Sequence, residues 1–441
     1  MDLNNVKFTW LEDSPKHWGQ KKVKHLFKYS KEKIENPEDY PILSLTMRGV
    51  KERDVSSNEG QLPDTFNGYS LLKKNQLVFN PMDLISGWVD STHIEGIISP
   101  SYRIIEPLSN DIIIEYYRYY FQKLYKEKVL FPFGEGVHYQ YRWGLGSVTL
   151  MNFPLLYPSK KEQQQIVSFL DDKTQKIDSL IQQKEKKIEL LKEKRTSLIN
   201  HVVTKGLDSK VEMKDSGVEW IRETPNHWKL LKLWLIIKDT QLGGNYNSSP
   251  GFEGVPLMKM GNINREVMNL KKVEYIEKNT SFDEKHILKY GDFLFNTRNS
   301  EELVGKVSLW KNELQFSLYN SNILKIDYKE EIDNHFMNYL FNSNSILSVL
   351  KMISKGTTNV SGIYYKDLSK IVVCVPGYKE QQQIVEYLDK QTEEIDTLIQ
   401  LEQKKIDTLK EYRQSLISEV VTGKIRVCEE DNSLSLNSQI V

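Results

Sequence analysis

At 441 residues the chain is longer than one hydrophobic core usually serves, so two or three domains are expected. A hydrophobic fraction of 39%, with 23 Tyr and 16 Phe, excludes a disordered chain, while 60 basic against 60 acidic residues exclude a globally basic polyanion binder. Two cysteines, Cys374 and Cys428, with no CxxC or Cys/His cluster, exclude a disulfide framework and a zinc site, which fits a reducing cytoplasm.

The start, MDLNNVKFTWLED, has no basic region followed by an apolar one, and the longest apolar run, Leu230 to Ile237, is short and broken by Lys232. Neither export nor a membrane span is expected. After a lead-in carrying Trp10, Pro15, His17 and Trp18 come short runs such as NQLVFN and GIISPSYRII. These are β-branched or aromatic, separated by Gly, Asn and Pro, and read as strands. IIIEYYRYYFQKLY, from Ile112, reads as a helix.

A long helix follows from Lys161 to Thr204, and Ser159 with Glu162 has capping-box spacing. In steps of seven, Val167, Thr174, Ile181, Ile188 and Val202 form one column and Leu170, Ile177, Leu191 and Leu198 another, interrupted at Arg195 and Lys184. The polar, Gly-punctuated stretch from Lys205 reads as a linker. The pattern then begins again. Trp220, Pro225, His227 and Trp228 repeat the lead-in, DFLFN, KVSLW, SNILKIDY and KIVVCV read as strands, and the run from Ile332 to Ile353 reads as a helix. KEQQQIVEYLDKQTEEIDTLIQ, from Lys379, returns the long helix, with Arg413 and Glu402 interrupting the same two columns.

The chain is therefore one unit duplicated. The expected fold is α+β: two mixed, strand-rich domains separated by two long helices that form an antiparallel coiled coil, with pseudo-twofold symmetry. Antiparallel packing follows from chain path, because the domain between the helices then needs only adjacent termini. The expected divisions are 1–158 for the first domain, 159–206 for the first helix, 207–376 for the second domain, 377–424 for the second helix, and 425–441 for a mobile tail.

The segments KDSGVEWIRETPNHW and WLEDSPKHW, the paired junctions LLYPSKKEQQQIVSFLD and VCVPGYKEQQQIVEYLD, and VPLMKMGNI, GDFLFNTRN, LVGKVSL and SKGTTNVSGIYYKDL in the second domain make the chain resemble the specificity subunits of type I restriction-modification systems. The likeness spans nearly the whole chain and is weakest in the first domain. It implies two target-recognition domains, each reading one half of a split double-stranded DNA target. The helix pair would set the gap and dock two methyltransferase subunits. Restriction subunits would join through the complex, with S-adenosylmethionine, ATP and Mg on those partners and no cofactor, metal or catalytic residue on this chain.

The residues agree with that division of labour. The nearest approach to a methyltransferase Asn-Pro-Pro-aromatic motif, Asn80-Pro81-Met82-Asp83, fails at its last two positions, and Gly305-Lys306 lacks the remainder of a P-loop. A rod spacing two protein-binding domains, or an enzyme with a scattered active site, are the alternative readings. His17, Trp18, His227 and Trp228 read as packing residues at prolyl turns. Gln163 to Gln165 and Gln381 to Gln383 read as a solvated or capping face.

DNA contacts call for basic and amide side chains on turns. In the first domain these are Arg48, Lys51 and Arg53, then His138, Tyr139, Tyr141 and Arg142. In the second they are Lys259, Asn262, Thr297, Arg298, Asn299, Lys306, and the loop of Lys355, Thr357, Thr358 and Asn359. Arg298 is the expected base reader, since a guanidinium bonds guanine at two atoms.

Overall fold

The structure, a computed structural model, describes residues 8–427 except 31, 33, 35, 55–64, 86, 139–141 and 358–359. It contains two long helices, Lys160–Lys205 and Tyr378–Val421, among short strands and short helices. Two compact units partition the chain: Met1–Lys184 with Lys404–Val441, and Glu185–Gln403. The division falls inside both long helices, so each unit is a strand-rich domain together with part of each helix.

In the first unit, strand Gly19–Lys22 pairs antiparallel with Pro154–Tyr157, which draws the two ends of the domain together just before the long helix. One four-stranded sheet takes Phe27–Ser30, Arg103–Pro107, Leu77–Phe79 and Val89–Ser91 in that order. Another takes Gly49–Glu52, Ile42–Thr46, Gly96–Ile98 and Ser70–Leu72, with the middle pair parallel. Helix Ile114–Lys126 buries Tyr116, Tyr117, Tyr120, Phe121 and Leu124. That aromatic stripe recurs at helical spacing and supplies much of the core.

The second unit repeats the plan. Lys229–Lys232 pairs with Val372–Val375. One sheet has the order Ile237–Leu242, Ile323–Tyr328, Phe293–Asn296, Val307–Leu309, and the other Ser248–Ser249, Glu274–Ile276, Pro256–Met258, Leu318–Tyr319, its last pair parallel. The helix expected from Ile332 to Ile353 is instead two, Asn334–Asn342 and Asn344–Ile353. Ser343 makes the break. Its backbone is extended, its Oγ donates to the Leu340 carbonyl at 2.6 Å, and the same Oγ accepts from the Ile346 amide. One hydroxyl thus closes the first helix and caps the second.

Within the second unit the long helices run antiparallel, because Lys187 meets Glu402 while Arg195, further along the first helix, meets Asp396, further back on the second. Most isoleucines and leucines of the predicted columns are buried, with Leu191, Leu198 and Ile399 half-buried, and the interruptions Arg195, Arg413 and Glu402 each have a partner. Arg195 bonds Asp396 at 3.0 Å and the Glu266 carboxylate through both terminal nitrogens. Arg413, in the first unit, bonds Asp178 at 2.9 Å. Glu402 is only 3% exposed yet receives Lys187 Nζ at 2.8 Å, the pairing a buried carboxylate requires. Ile199, Val202 and Val203 join Trp228, Phe336, Ile384 and Leu388 in one core, so these helix segments pack as part of the domain.

Both long helices end on a left-handed glycine, Gly206 at φ +76° and Gly423 at φ +73°. This is the usual C-terminal cap. A Cβ at Gly423 would stand 2.5 Å from Pro15, and one at Gly206 would stand 3.3 Å from Trp228, so each glycine also admits the lead-in of its own unit.

Candidate nucleic-acid interface

The recurrent His-Trp pair seats each domain on its helix through one carboxylate. His17 Nε2 lies 2.7 Å from Glu162 Oε1, and the Trp18 indole donates to the same oxygen at 2.9 Å. His227 and Trp228 meet Glu380 at 2.9 and 3.0 Å. Ser159 completes the first junction as a capping box. Burial alone would raise the Glu162 pKa, but bonds from Ser159, His17 and Trp18 outweigh it and hold the carboxyl down at about 2.

The glutamines beside these glutamates correct the surface reading. Gln163 and Gln381 have no exposure. Gln163 Oε1 accepts from the Ile113 amide while its Nε2 donates to the carbonyls of Asp111 and Pro158. Gln381 does the same with Asp333, Glu331 and Pro376. Each satisfies a turn that leads into a domain helix. Tyr119 bonds Asp171 at 2.7 Å and Tyr339 bonds Asp389 at 2.6 Å, tying the domain helix to the long helix in both units.

On this scaffold, candidates distant in sequence come together. Strands Arg298–Asn299, Val360–Gly362 and Lys355–Thr357 form one three-stranded sheet, with Arg298 and Lys355 both opposite Gly362. Cross-strand partners share a face, so these two cations flank a residue without a side chain. Arg298 is exposed and has no side-chain partner among the described residues. Lys355 is held by Asp367 at 2.7 Å. Thr357 closes its strand, whereas Thr358 and Asn359 lie outside the described residues.

Other candidates are committed to the fold. Asn262 is 3% exposed. Its Oδ1 accepts from the Lys259 amide and its Nδ2 donates to the carbonyls of Asn269 and Lys272, so it pins a turn and is not available to a base edge. Thr297 spends its hydroxyl on the Asn322 carbonyl at 2.8 Å. Asn299 turns its Oδ1 to the amide of Ser300. Lys259 is paired with Glu274.

Lys306 is half-buried. Its ammonium is pushed below the usual lysine range by burial and then by the charge of Arg265, a residue absent from the candidates read from the sequence.

In the first domain Arg48 stands exposed in the turn between Ile42–Thr46 and Gly49–Glu52, its amide bonded to Thr46 Oγ1. Lys51 is exposed opposite Ser44, and Arg53 is half-buried with its amide on the Ile42 carbonyl. Glu135–His138 and Arg142–Gly144 form a two-stranded hairpin that bears His138 and Arg142, while Tyr139 and Tyr141 lie outside the described residues. Among the described residues no cluster of three His, Cys, Asp or Glu could hold a metal, and no helix is long and apolar enough to cross a membrane.

The scaffold is duplicated, and each of its two strand-rich domains presents basic side chains on exposed turns and strands. Residues 238–411 match the family model for the type I restriction modification DNA specificity domain. The chain is 27% identical over 207 residues to a putative type I restriction enzyme MjaX specificity subunit of Methanocaldococcus jannaschii, a match covering 46% of this chain and 47% of that one, about half its length. It is 25% identical over 372 residues to the type I restriction enzyme MjaVIII specificity subunit of the same organism, covering 81% and 82%. A solved structure from work on complex assembly and conformational transition of the type I R-M system has the same fold, with a TM-score of 0.71, 13% identity, and coverage of 93% of this chain and 99% of that one. The chain is thus similar to type I restriction enzyme specificity subunits, and its residues 238–411 carry the match to the specificity-domain model.

Proposed function

We propose that the chain is the non-catalytic, DNA-reading subunit of a type I restriction-modification complex, acting in the cytoplasm. The strand-rich domains of residues 1–158 and 207–376 each read one half of a bipartite duplex target. Two methyltransferase subunits dock on the long helices, and restriction subunits join through the complex. S-adenosylmethionine, ATP and Mg belong to those partners. The observation that carries this reading is that the two units share one junction geometry, Trp18 on Glu162 and Trp228 on Glu380, while the exposed turns they support carry different side chains. One scaffold used twice with different loops suits two readers of different sequences.

Arg48 and Lys51 in one domain, with Arg298 in the other, are the first residues to test as base or phosphate contacts. Lys306 and the Lys355 loop follow. The experiment is a domain exchange: residues 225–375 are replaced by the matching region of a relative, and the methylome of a host carrying the complete system is sequenced. One half of the methylated motif should change and the other persist. A change in both halves would refute independent reading.

A further inference from the structure

Two turns, one in each domain, are built on the same bonds and carry unlike side chains. Strand Leu77–Phe79 lies between Arg103–Pro107 and Val89–Ser91, as Phe293–Asn296 lies between Ile323–Tyr328 and Val307–Leu309. An asparagine closes each strand, and its Oδ1 accepts the amide two residues on. Met82 N donates to Asn80 at 3.1 Å and Arg298 N to Asn296 at 3.2 Å. The carbonyl between them is also bonded alike, since Leu145 N donates to Pro81 O at 2.7 Å and Ile363 N to Thr297 O at 2.9 Å. Met82 therefore stands in the first domain where Arg298 stands in the second.

The hairpin beside each turn is duplicated too. Glu135 pairs with Gly144 as Lys355 pairs with Gly362. A Cβ on Gly144 would stand 3.4 Å from Met82 Cα, and one on Gly362 would stand 3.7 Å from Arg298 Cγ, so in both domains the bare glycine faces the turn residue. Two cations flank Gly362. An exposed carboxylate, Glu135, and a thioether 55% exposed, Met82, flank Gly144.

That exchange of chemistry selects what can be met there. A carboxylate repels a phosphate and methionine offers it no donor, so this face suits a base edge and not the backbone. A two-stranded ribbon fits the major groove, where the C5 methyl of thymine is the one apolar group that base pairs present. Against any other edge the thioether would strip water from a donor or acceptor and return no strong hydrogen bond.

We infer that Met82 determines specificity in the first domain by packing on the C5 methyl of a thymine, in the place where the second domain offers the Arg298 guanidinium. The contact rests on the DNA-reading function proposed above.

The test uses the full chain in complex with its methyltransferase subunits, as wild type and as Met82→Ala. Each thymine of the half-site that persists in the domain exchange, on either strand, is replaced singly by deoxyuridine, which lacks only the C5 methyl. One replacement should weaken the wild-type complex by about fourfold, the effect of withdrawing one buried methyl, and should leave Met82→Ala unaffected. Met82→Arg, which installs the side chain of the other copy, should move the preferred base at that position from thymine to guanine in selection from a randomised library.

Wild-type binding indifferent to every replacement overturns the contact and leaves DNA reading standing, as does a sensitivity that Met82→Ala retains or a thymine preference that Met82→Arg retains. A loss in Met82→Ala that is equal on all duplexes, or its failure to assemble with the methyltransferase subunits, makes Met82 a contact of another kind and also overturns the inference. A wild-type complex that binds no duplex refutes DNA reading itself, and the contact with it.

Discussion

Trp228 donates its indole N–H to Glu380 at 3.0 Å across 152 residues of chain, and Trp18 makes the same bond to Glu162 across 144. A long helix of either copy therefore begins only where the lead-in of its own domain has arrived, which makes the junction carboxylate the link between domain and helix.

Glu162 gives that link a pH signature. Its carboxyl is held at about 2 against an ordinary 4.5, so the folded state favours the ionised form, and the resulting stability is present above about 4.5 and lost as pH falls towards 2. Glu162→Gln should melt below the wild type by a constant margin from pH 7 to pH 5, and the margin should shrink between pH 4.5 and 2. A margin independent of pH over that range would show that ionisation of Glu162 adds nothing.

Tyr119→Phe and Tyr339→Phe each delete one hydroxyl bonded to a long-helix aspartate, Asp171 or Asp389. Each should cost about 1 kcal/mol in denaturant titration, and the two costs should agree because the geometry is duplicated. Unequal costs would mean that the junctions differ in ways the bond lengths do not reveal.

Arg195 joins the loop at Glu266 to the neighbouring helix at Asp396, with side chains of Arg195 and Glu266 about one-fifth exposed. Arg195→Ala leaves two carboxylates uncompensated and should destabilise the protein by about 2 kcal/mol, less than a fully buried pair because solvent still reaches it. Thermal melting with and without 0.5 M salt checks this, and the deficit should narrow as screening rises.

Arg298 and Lys355 flank Gly362 but differ in commitment, since Lys355 is bonded to Asp367 and Arg298 has no side-chain partner among the described residues. Arg298→Ala should cost about 1 to 3 kcal/mol at its preferred base pair. Lys355→Ala should cost less, uniformly across sequences. Competition binding against duplexes varied one position at a time separates the two, and a sequence-independent loss for Arg298→Ala would make it a phosphate contact.

The sequence by itself determined the duplication, the two long helices and their seam, because these are periodic signals that a linear chain carries without reference to a partner. Arg195, Arg413 and Glu402 were visible as interruptions of that period, but which acids and bases they meet was decided by antiparallel packing, which sets Glu402 against Lys187 and Arg195 against Asp396. His17 and Trp18 were visible as a recurrence, while their shared acceptor, Glu162, is more than a hundred residues away. Gln163 and Gln381 look like surface residues in a polar run and are buried, because each caps a loop of the domain folded against it. Among the candidate contacts, residue type could not separate Asn262, spent on three backbone bonds, from exposed Arg298. Periodicity is written along the chain, whereas which polar groups are satisfied depends on neighbours that only the tertiary fold supplies.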